Sequence, residues 1–206
     1  MSLEFVLATH NAKKVREFQR IIGERMPHAV VHPYDGPEPV EDGVTFAENA
    51  LIKARAAAEH SGRIALADDS GLVVDVLGSA PGIFSSRWAG HTADDEANVR
   101  LLLDQLSDIR RPHRGAEFRC TIALVVPEAV LPGGHEYVAE GRWRGELAFE
   151  PRGSHGFGYD PIFEPEGLEI TSAELTPDEK NARSHRARAF TELLPELERV
   201  AARVGG

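Results

Sequence analysis

Cysteine is nearly absent: Cys120 is the only one in 206 residues. That excludes an internal disulfide and any zinc cluster built on several thiolates, and it fits a reducing compartment. Long apolar runs are also missing, none approaching the ~18 residues of a membrane span. The first residues lack the basic-then-apolar pattern of a secretion signal, so a cytoplasmic location is expected. Basic charge is short as well, with 33 acidic against 23 basic side chains and a net charge of -10. This argues against broad binding to a nucleic-acid polymer or an anionic membrane, though not against one small anion in a local basic pocket. Lysine is scarcest of the charged types: Lys13, Lys14, Lys53 and Lys180 stand against nineteen arginines.

What is present reads as a folded α/β or α+β chain, with no internal repeat and no low-complexity stretch. An apolar strand at Glu4–Ala8 gives way to the polar turn Thr9-His10-Asn11. Val15, Phe18, Ile21 and Ile22 then recur at helical spacing, with Asn11 placed to cap. Four prolines between Pro27 and Pro39 leave room for only a brief strand at Val30-Val31. Thr45-Phe-Ala-Glu48 is a capping box opening a helix with small residues on one face. Ile64–Ala67 reads as a buried strand ending at Asp68-Asp69-Ser70-Gly71, with a second short strand or tight loop over Leu72–Leu77.

Thr92 is placed to cap a helix whose inner face is Val99, Leu102, Leu103 and Leu106. Ala116–Val126 is the longest strand candidate. Beyond a Pro/Gly turn, Tyr137–Arg144 and Glu146–Phe149 read as two further strands. A glycine-rich loop spans Pro151–Pro161. Thr176-Pro177-Asp178-Glu179 is a second capping box, opening a helix expected to reach about Leu194, with Pro195 starting a short last one. Early alternation of helix and strand, then clustered strands over 116–163, suggests a mixed sheet.

Four segments carry chemistry. Adjacent carboxylates at Asp68-Asp69 repel unless a positive group lies beside them. Hard divalent cations want such oxygens, and ligands of open α/β folds gather at strand ends. An Asx-type turn accounts for the same residues, so both readings stand. Glu41-Asp42-Gly43 adds a third candidate carboxylate, whereas Asp75 reads as structural. Thr9-His10-Asn11-Ala12-Lys13-Lys14 offers hydroxyl, amide and ammonium groups at a helix N-terminus, which suits a phosphate or a plain capped turn.

In Gly153–Pro161 three glycines allow close backbone approach, and Phe157 or Tyr159 offers a ring to stack on a flat ligand or to fill the core. Lys180 sits in a helix's first turn, where the dipole disfavours a cation, so a nearby anion is expected. Ser184-His185-Arg186 follows it. Nine histidines show no zinc pattern, and Cys120 reads as core. Where surface lysines have drifted to arginine, the surviving lysines mark places that reject the exchange. They fall in these same segments.

The stretches LATHNAKKVREF, EDGVTFAENALIKA, ALADDSGLVVDVLGSAPGIFSSR, FRCTIAL, GFGYDPIFEP and ELTPDEKNARSHRARAF together cover nearly the whole chain. In order and spacing they resemble the RdgB/Ham-type inosine and xanthosine triphosphate pyrophosphatases. The resemblance implies a single domain over residues 1–206: an α/β (α+β-like), elongated two-lobed fold around a long mixed β-sheet, with the active-site cleft between the lobes. It further implies a homodimer and Mg²⁺-dependent hydrolysis of ITP, dITP and XTP to monophosphate and pyrophosphate, cleansing the nucleotide pool.

Carried over to this chain, Thr9, His10, Asn11, Ala12, Lys13 and Lys14 resemble the triphosphate-binding turn. The family often has glycine at the position of His10 and a small residue at that of Lys13, so the turn departs from the pattern there. Glu41 and Asp69 resemble the metal-binding carboxylates, Asp69 being also the general base, and Asp68 is an alternative metal ligand or supports the metal from outside its ligand set. Ser70, Phe157, Gly158, Tyr159, Asp160, Lys180, His185 and Arg186 resemble substrate contacts, with Lys53 and Arg87 as secondary candidates. Two alternatives stay open: a Maf-like pyrophosphatase of other modified nucleotides, and a nucleotide-binding regulator without turnover.

Overall fold

The computed structural model describes residues 3–91 and 94–204, apart from the side chains of Lys13 and Glu17. Strand β1 (Glu4–Leu7) leads through α1 (Ala12–Arg25), β2 (Val30–Pro33) and α2 (Phe46–Ser61) to β3 (Ile64–Val74). Helix α3 (Asp95–Gln105) is followed by β4 (Gly115–Val126), β5 (His135–Leu147), the short β6 (Phe163–Pro165), α4 (Pro177–Arg183) and α5 (His185–Val204). The strands hydrogen-bond in the order β2-β1-β3-β4-β5-β6. Strand β1 is parallel to β2 and β3, and β5 is antiparallel to β6, so the sheet is mixed as expected. Among the described residues no helix is long and apolar enough to cross a membrane.

The chain divides into two compact units. The first comprises residues 1–69, 121–140 and 189–206, and the second 70–120 and 141–188. The first has a core of small residues: Ala50, Ala54, Ala57 and Ala58 of α2 are buried with Val6, Ala65 and Ala67. Alanines on that face let helix and strands approach closely, while Thr45 fixes where α2 begins. Its hydroxyl accepts from Glu48 N, and Glu48 answers on the Thr45 amide at 3.0 Å. The second unit is built on bulk, with Leu72, Leu102, Trp143, Phe163 and Leu175 buried together.

Three local expectations are revised. Strand β3 does not stop at Asp68 but runs unbroken to Val74. Lys14 and Lys53 meet the carboxylates of Asp68 and Asp69, so the strand carries both acids without a turn to separate them. Strand β5 is one strand, not two, because Gly145 is a close approach and not a break: a Cβ there would lie 2.2 Å from the Glu164 carbonyl. The last helical region breaks at Ser184, not Pro195. Ser184 is extended (φ -63°, ψ 159°) and its hydroxyl accepts from Ala187 N, starting α5, while Pro195 lies inside that helix. Thr92 lies outside the described residues; Asp94 caps α3 by accepting from Ala97 N at 3.0 Å.

Candidate active site

In the first unit, the turn between β1 and α1 is held by short-range bonds. Thr9 Oγ1 accepts from Asn11 N at 3.1 Å, and Asn11 Oδ1 faces Lys14 N at 3.4 Å. Ala12 opens α1, so the free amides of its first turn lie beside Lys14. The Lys14 ammonium reaches both oxygens of the buried Asp68, at 2.9 and 3.1 Å. His10 turns to the neighbouring loop, with Nε2 3.0 Å from the Gly36 carbonyl, Nδ1 3.1 Å from Glu38, and its ring stacked on Tyr34. The side chain of Lys13 lies outside the described residues.

Beside this turn lies a group of alternating charges. Lys53, from the middle of α2, is 3.2 Å from Glu41 Oε2 and 3.4 Å from Asp69 Oδ1. In the capping box that follows Glu41, Glu48 also accepts from Val44 N. Burial alone would lower the Lys53 ammonium, but Asp69, Asp68 and Glu41 together outweigh it and hold Lys53 above its ordinary pKa. Burial pushes the Asp69 carboxyl up; Lys53 pulls it back, and Glu41 and Asp68 push it further. The second oxygen of Asp69 is buried with no hydrogen-bond partner.

Among the described residues, no three His, Cys, Asp or Glu side chains are arranged to hold a metal ion on their own. An orphaned carboxylate oxygen with a second carboxylate nearby suits a different arrangement. Mg²⁺ is commonly held by one or two carboxylates, with the remaining positions left to water and substrate phosphate. Glu41 and Asp69 therefore fit that ion.

In the second unit a pocket of about 660 Å³, open solvent included, is lined by Ser70 and by the glycine-rich loop, α4 and the start of α5. The loop backbone depends on glycine: at Gly156 φ is +81° and a Cβ would strike Asp160. Asp160 is buried, with both carboxylate oxygens hydrogen-bonded. Its Oδ1 accepts from Ser172 Oγ at 2.7 Å, and its Oδ2 accepts from Phe157 N at 2.9 Å and from the Lys180 ammonium. This is the anion that explains a lysine in the first turns of α4. The two loop aromatics part company: Tyr159 is buried, its hydroxyl donating to the Ser85 carbonyl at 2.8 Å. Phe157 is 60% exposed, with the Lys180 ammonium 5.4 Å from its ring centre.

His185 stacks on Phe118 at 4.9 Å, and the buried Arg186 donates to Ser70 Oγ at 3.4 Å. The break at Ser184 puts both residues in the first turn of α5, on a separate helix from Lys180. Gly158 lines the pocket, whereas Arg87 lies over the Phe84 ring and is not part of its wall. The structure thus groups Lys14, Lys53, Glu41, Asp68 and Asp69 in one unit. Ser70, Phe157, Gly158, Tyr159, Asp160, Lys180, His185 and Arg186 are grouped in the other. Phe118, Ser85 and Asp95 also line the pocket and were not singled out from sequence. Phe118 and Ser85 read there as ordinary core and turn residues; Asp95 stood next to a visible helix start.

Known proteins resemble this chain over nearly its full length. Residues 5–196 match the Ham1 family model. A curated dITP/XTP pyrophosphatase of Leifsonia xyli subsp. xyli is 60% identical over 192 residues, covering 93% of this chain and 94% of the relative. Among solved structures, a HAM1 protein from Coxiella burnetii superposes with a TM-score of 0.86 at 44% identity, covering 96% of this chain and 99% of that one. A nucleoside-triphosphatase / dITP/XTP pyrophosphatase from Mycobacterium abscessus gives 0.76 at 47% identity, covering 94% and 100%. With nearly its full length matched by sequence, fold and family model alike, the chain belongs to the Ham1 family.

Proposed function

We propose that the protein hydrolyses deaminated purine nucleoside triphosphates, ITP, dITP and XTP, to the monophosphate and pyrophosphate. The observation that carries this is the buried, unpartnered oxygen of Asp69 beside Glu41 and Lys53, in a chain so similar to curated dITP/XTP pyrophosphatases. Glu41 and Asp69 would hold Mg²⁺, whose chemistry there is to neutralise phosphate oxygens. Lys14 and the first amides of α1 bind the triphosphate, and Lys53 offsets charge that develops on the pyrophosphate. Asp69, its carboxyl raised by burial, takes a proton from the water that attacks the α-phosphorus.

Phe157 stacks on the base, and Lys180 and Arg186 present donors to it. A 6-oxo purine accepts those bonds; a 6-amino purine leaves the donors unpaired, at about 1–3 kcal/mol for each buried group. The proposal includes a single catalytic domain working as a cytoplasmic homodimer, with no nucleic-acid or membrane partner. Pyrophosphate release from ITP, dITP, XTP, ATP, dTTP and UTP, with Mg²⁺ and with chelator, tests the reading. Strong preference for ITP, dITP or XTP in the presence of Mg²⁺ is expected. Preference for dTTP or UTP would instead support a Maf-like activity, and no release from any substrate would support a regulator.

A further inference from the structure

The loop that presents Phe157 is loose by composition. Gly153, Gly156 and Gly158 all have positive φ, a backbone state glycine adopts freely. The Phe157 ring is mostly exposed, so packing does not hold it in place. What holds it is the backbone at 157–158, where two consecutive amides donate to two different carboxylates. Phe157 N donates to Asp160 from within the loop, and Gly158 N donates to Asp95 Oδ2 at 2.8 Å. Asp95 is the first residue of α3, so this second bond ties the loop to a helix remote in sequence.

That helix start is itself fixed. The buried Asn98, one turn on, accepts from Ala89 N at 2.6 Å and donates to the Ser86 carbonyl at 3.2 Å. Ser86 lines the same pocket. Asp94 and Asp95 divide the work between them. Asp94 caps α3 through Ala97 N, and Asp95 reaches the loop.

We propose that Asp95 is a positioning residue for base binding. By accepting the Gly158 amide it sets the place from which Phe157 offers its ring, and it governs affinity for the base without acting at phosphorus. The inference rests on reading Phe157 as the ring that stacks on the base. Its pairing with a neighbouring aspartate of purely helical duty supplies the control.

Three variants separate the roles: Asp95→Ala, Asp95→Asn and Asp94→Ala, measured by ITP hydrolysis, thermal melting and amide exchange over residues 153–160 in the ligand-free protein. Asp95→Ala should raise KM about tenfold with kcat unchanged, the loss of one charge-assisted hydrogen bond. It should also speed exchange at Gly158. Asp95→Asn keeps an acceptor oxygen and should restore KM. Asp94→Ala should lower the melting temperature through its lost cap, yet leave KM and loop exchange as they are. The proposal is overturned by an unchanged KM in Asp95→Ala, by Asp95→Asn being equally impaired, or by Asp94→Ala raising KM as much. If the wild type fails to hydrolyse ITP, the functional reading fails instead. The exchange measurement then decides alone: faster exchange at Gly158 in Asp95→Ala supports the anchor, and unchanged exchange overturns it.

Discussion

Lys14 on Asp68, Lys53 on Glu41 and Asp69, and Lys180 on Asp160 account for every lysine whose side chain is described. Each meets a carboxylate with the compact ammonium that arginine's planar fork does not copy. In an arginine-rich chain, lysine placement was therefore a legible marker of these carboxylates. Asp69 is where this charge arrangement has most consequence. Its carboxyl is raised by burial, and by Glu41 and Asp68 against the pull of Lys53. A carboxyl raised in the folded state holds its proton more tightly than in the unfolded chain. Ionising it thus costs stability, and the cost appears as pH rises from the unfolded value through the folded one. On the roles proposed for Asp69, Asp69→Asn should lower turnover by orders of magnitude, since it would remove both the base and a metal-facing oxygen. In chelator the same variant should melt higher than the wild type at neutral pH and equally at low pH. Near-normal turnover would sink the catalytic assignment, and a lower neutral melting temperature would sink the electrostatic one.

At the scale of elements, the two capping boxes were legible, whereas the break at Ser184 and the long-range contacts were not. Both capping boxes, at Thr45 and Thr176, stand where their four-residue patterns put them, because donor and acceptor lie within one turn. The continuation of β3 through Asp68-Asp69 depends on Lys14, 54 residues before Asp68, and on Lys53, 16 residues before Asp69. No local pattern shows either partner. Gly145 misled for the same reason: a glycine inside a strand pattern reads as an interruption unless the opposing backbone is known. The Glu164 carbonyl occupies the space a side chain would need, so Gly145→Ala must push β5 and β6 apart or strain both. Overpacking of this kind costs about 1–3 kcal/mol, which lowers melting by roughly 2–12 °C in a domain this size. Wild-type stability in Gly145→Ala would show that the two strands yield without cost. Asp95 escaped notice because an acid at a helix start is ordinary, and only the folded loop shows that its carboxylate is used elsewhere.

For the molecule as a whole, the excess of 33 acidic over 23 basic groups sets how stability answers to pH. Lowering pH from 7 first relieves self-repulsion among the acids, which favours the compact state. Further down, the specific partners of individual carboxylates take over. The hydrogen bond from Arg144 holds Asp75 below its ordinary range, and that from Arg55 does the same for Glu136. Glu174 is lowered by the Thr171 amide and Glu179 by the Thr176 hydroxyl. A carboxyl depressed in the folded state adds stability above its unfolded pKa and loses it as pH falls through the folded value. These four therefore act together and opposite in sign to Asp69. All are exposed pairs or caps, so each contributes little and salt weakens the ion pairs. The expected profile is a broad maximum near pH 5–8 and a decline below about pH 4. Melts from pH 7 to 3 at low and high salt check it, with Asp75→Asn combined with Glu136→Gln to flatten the acid limb. A melting temperature that holds or rises between pH 4 and 3 would sink the assignment of the acid limb to these lost partners, since below the isoelectric point repulsion grows again. An acid limb left unchanged by the double substitution would place its origin in other carboxylates.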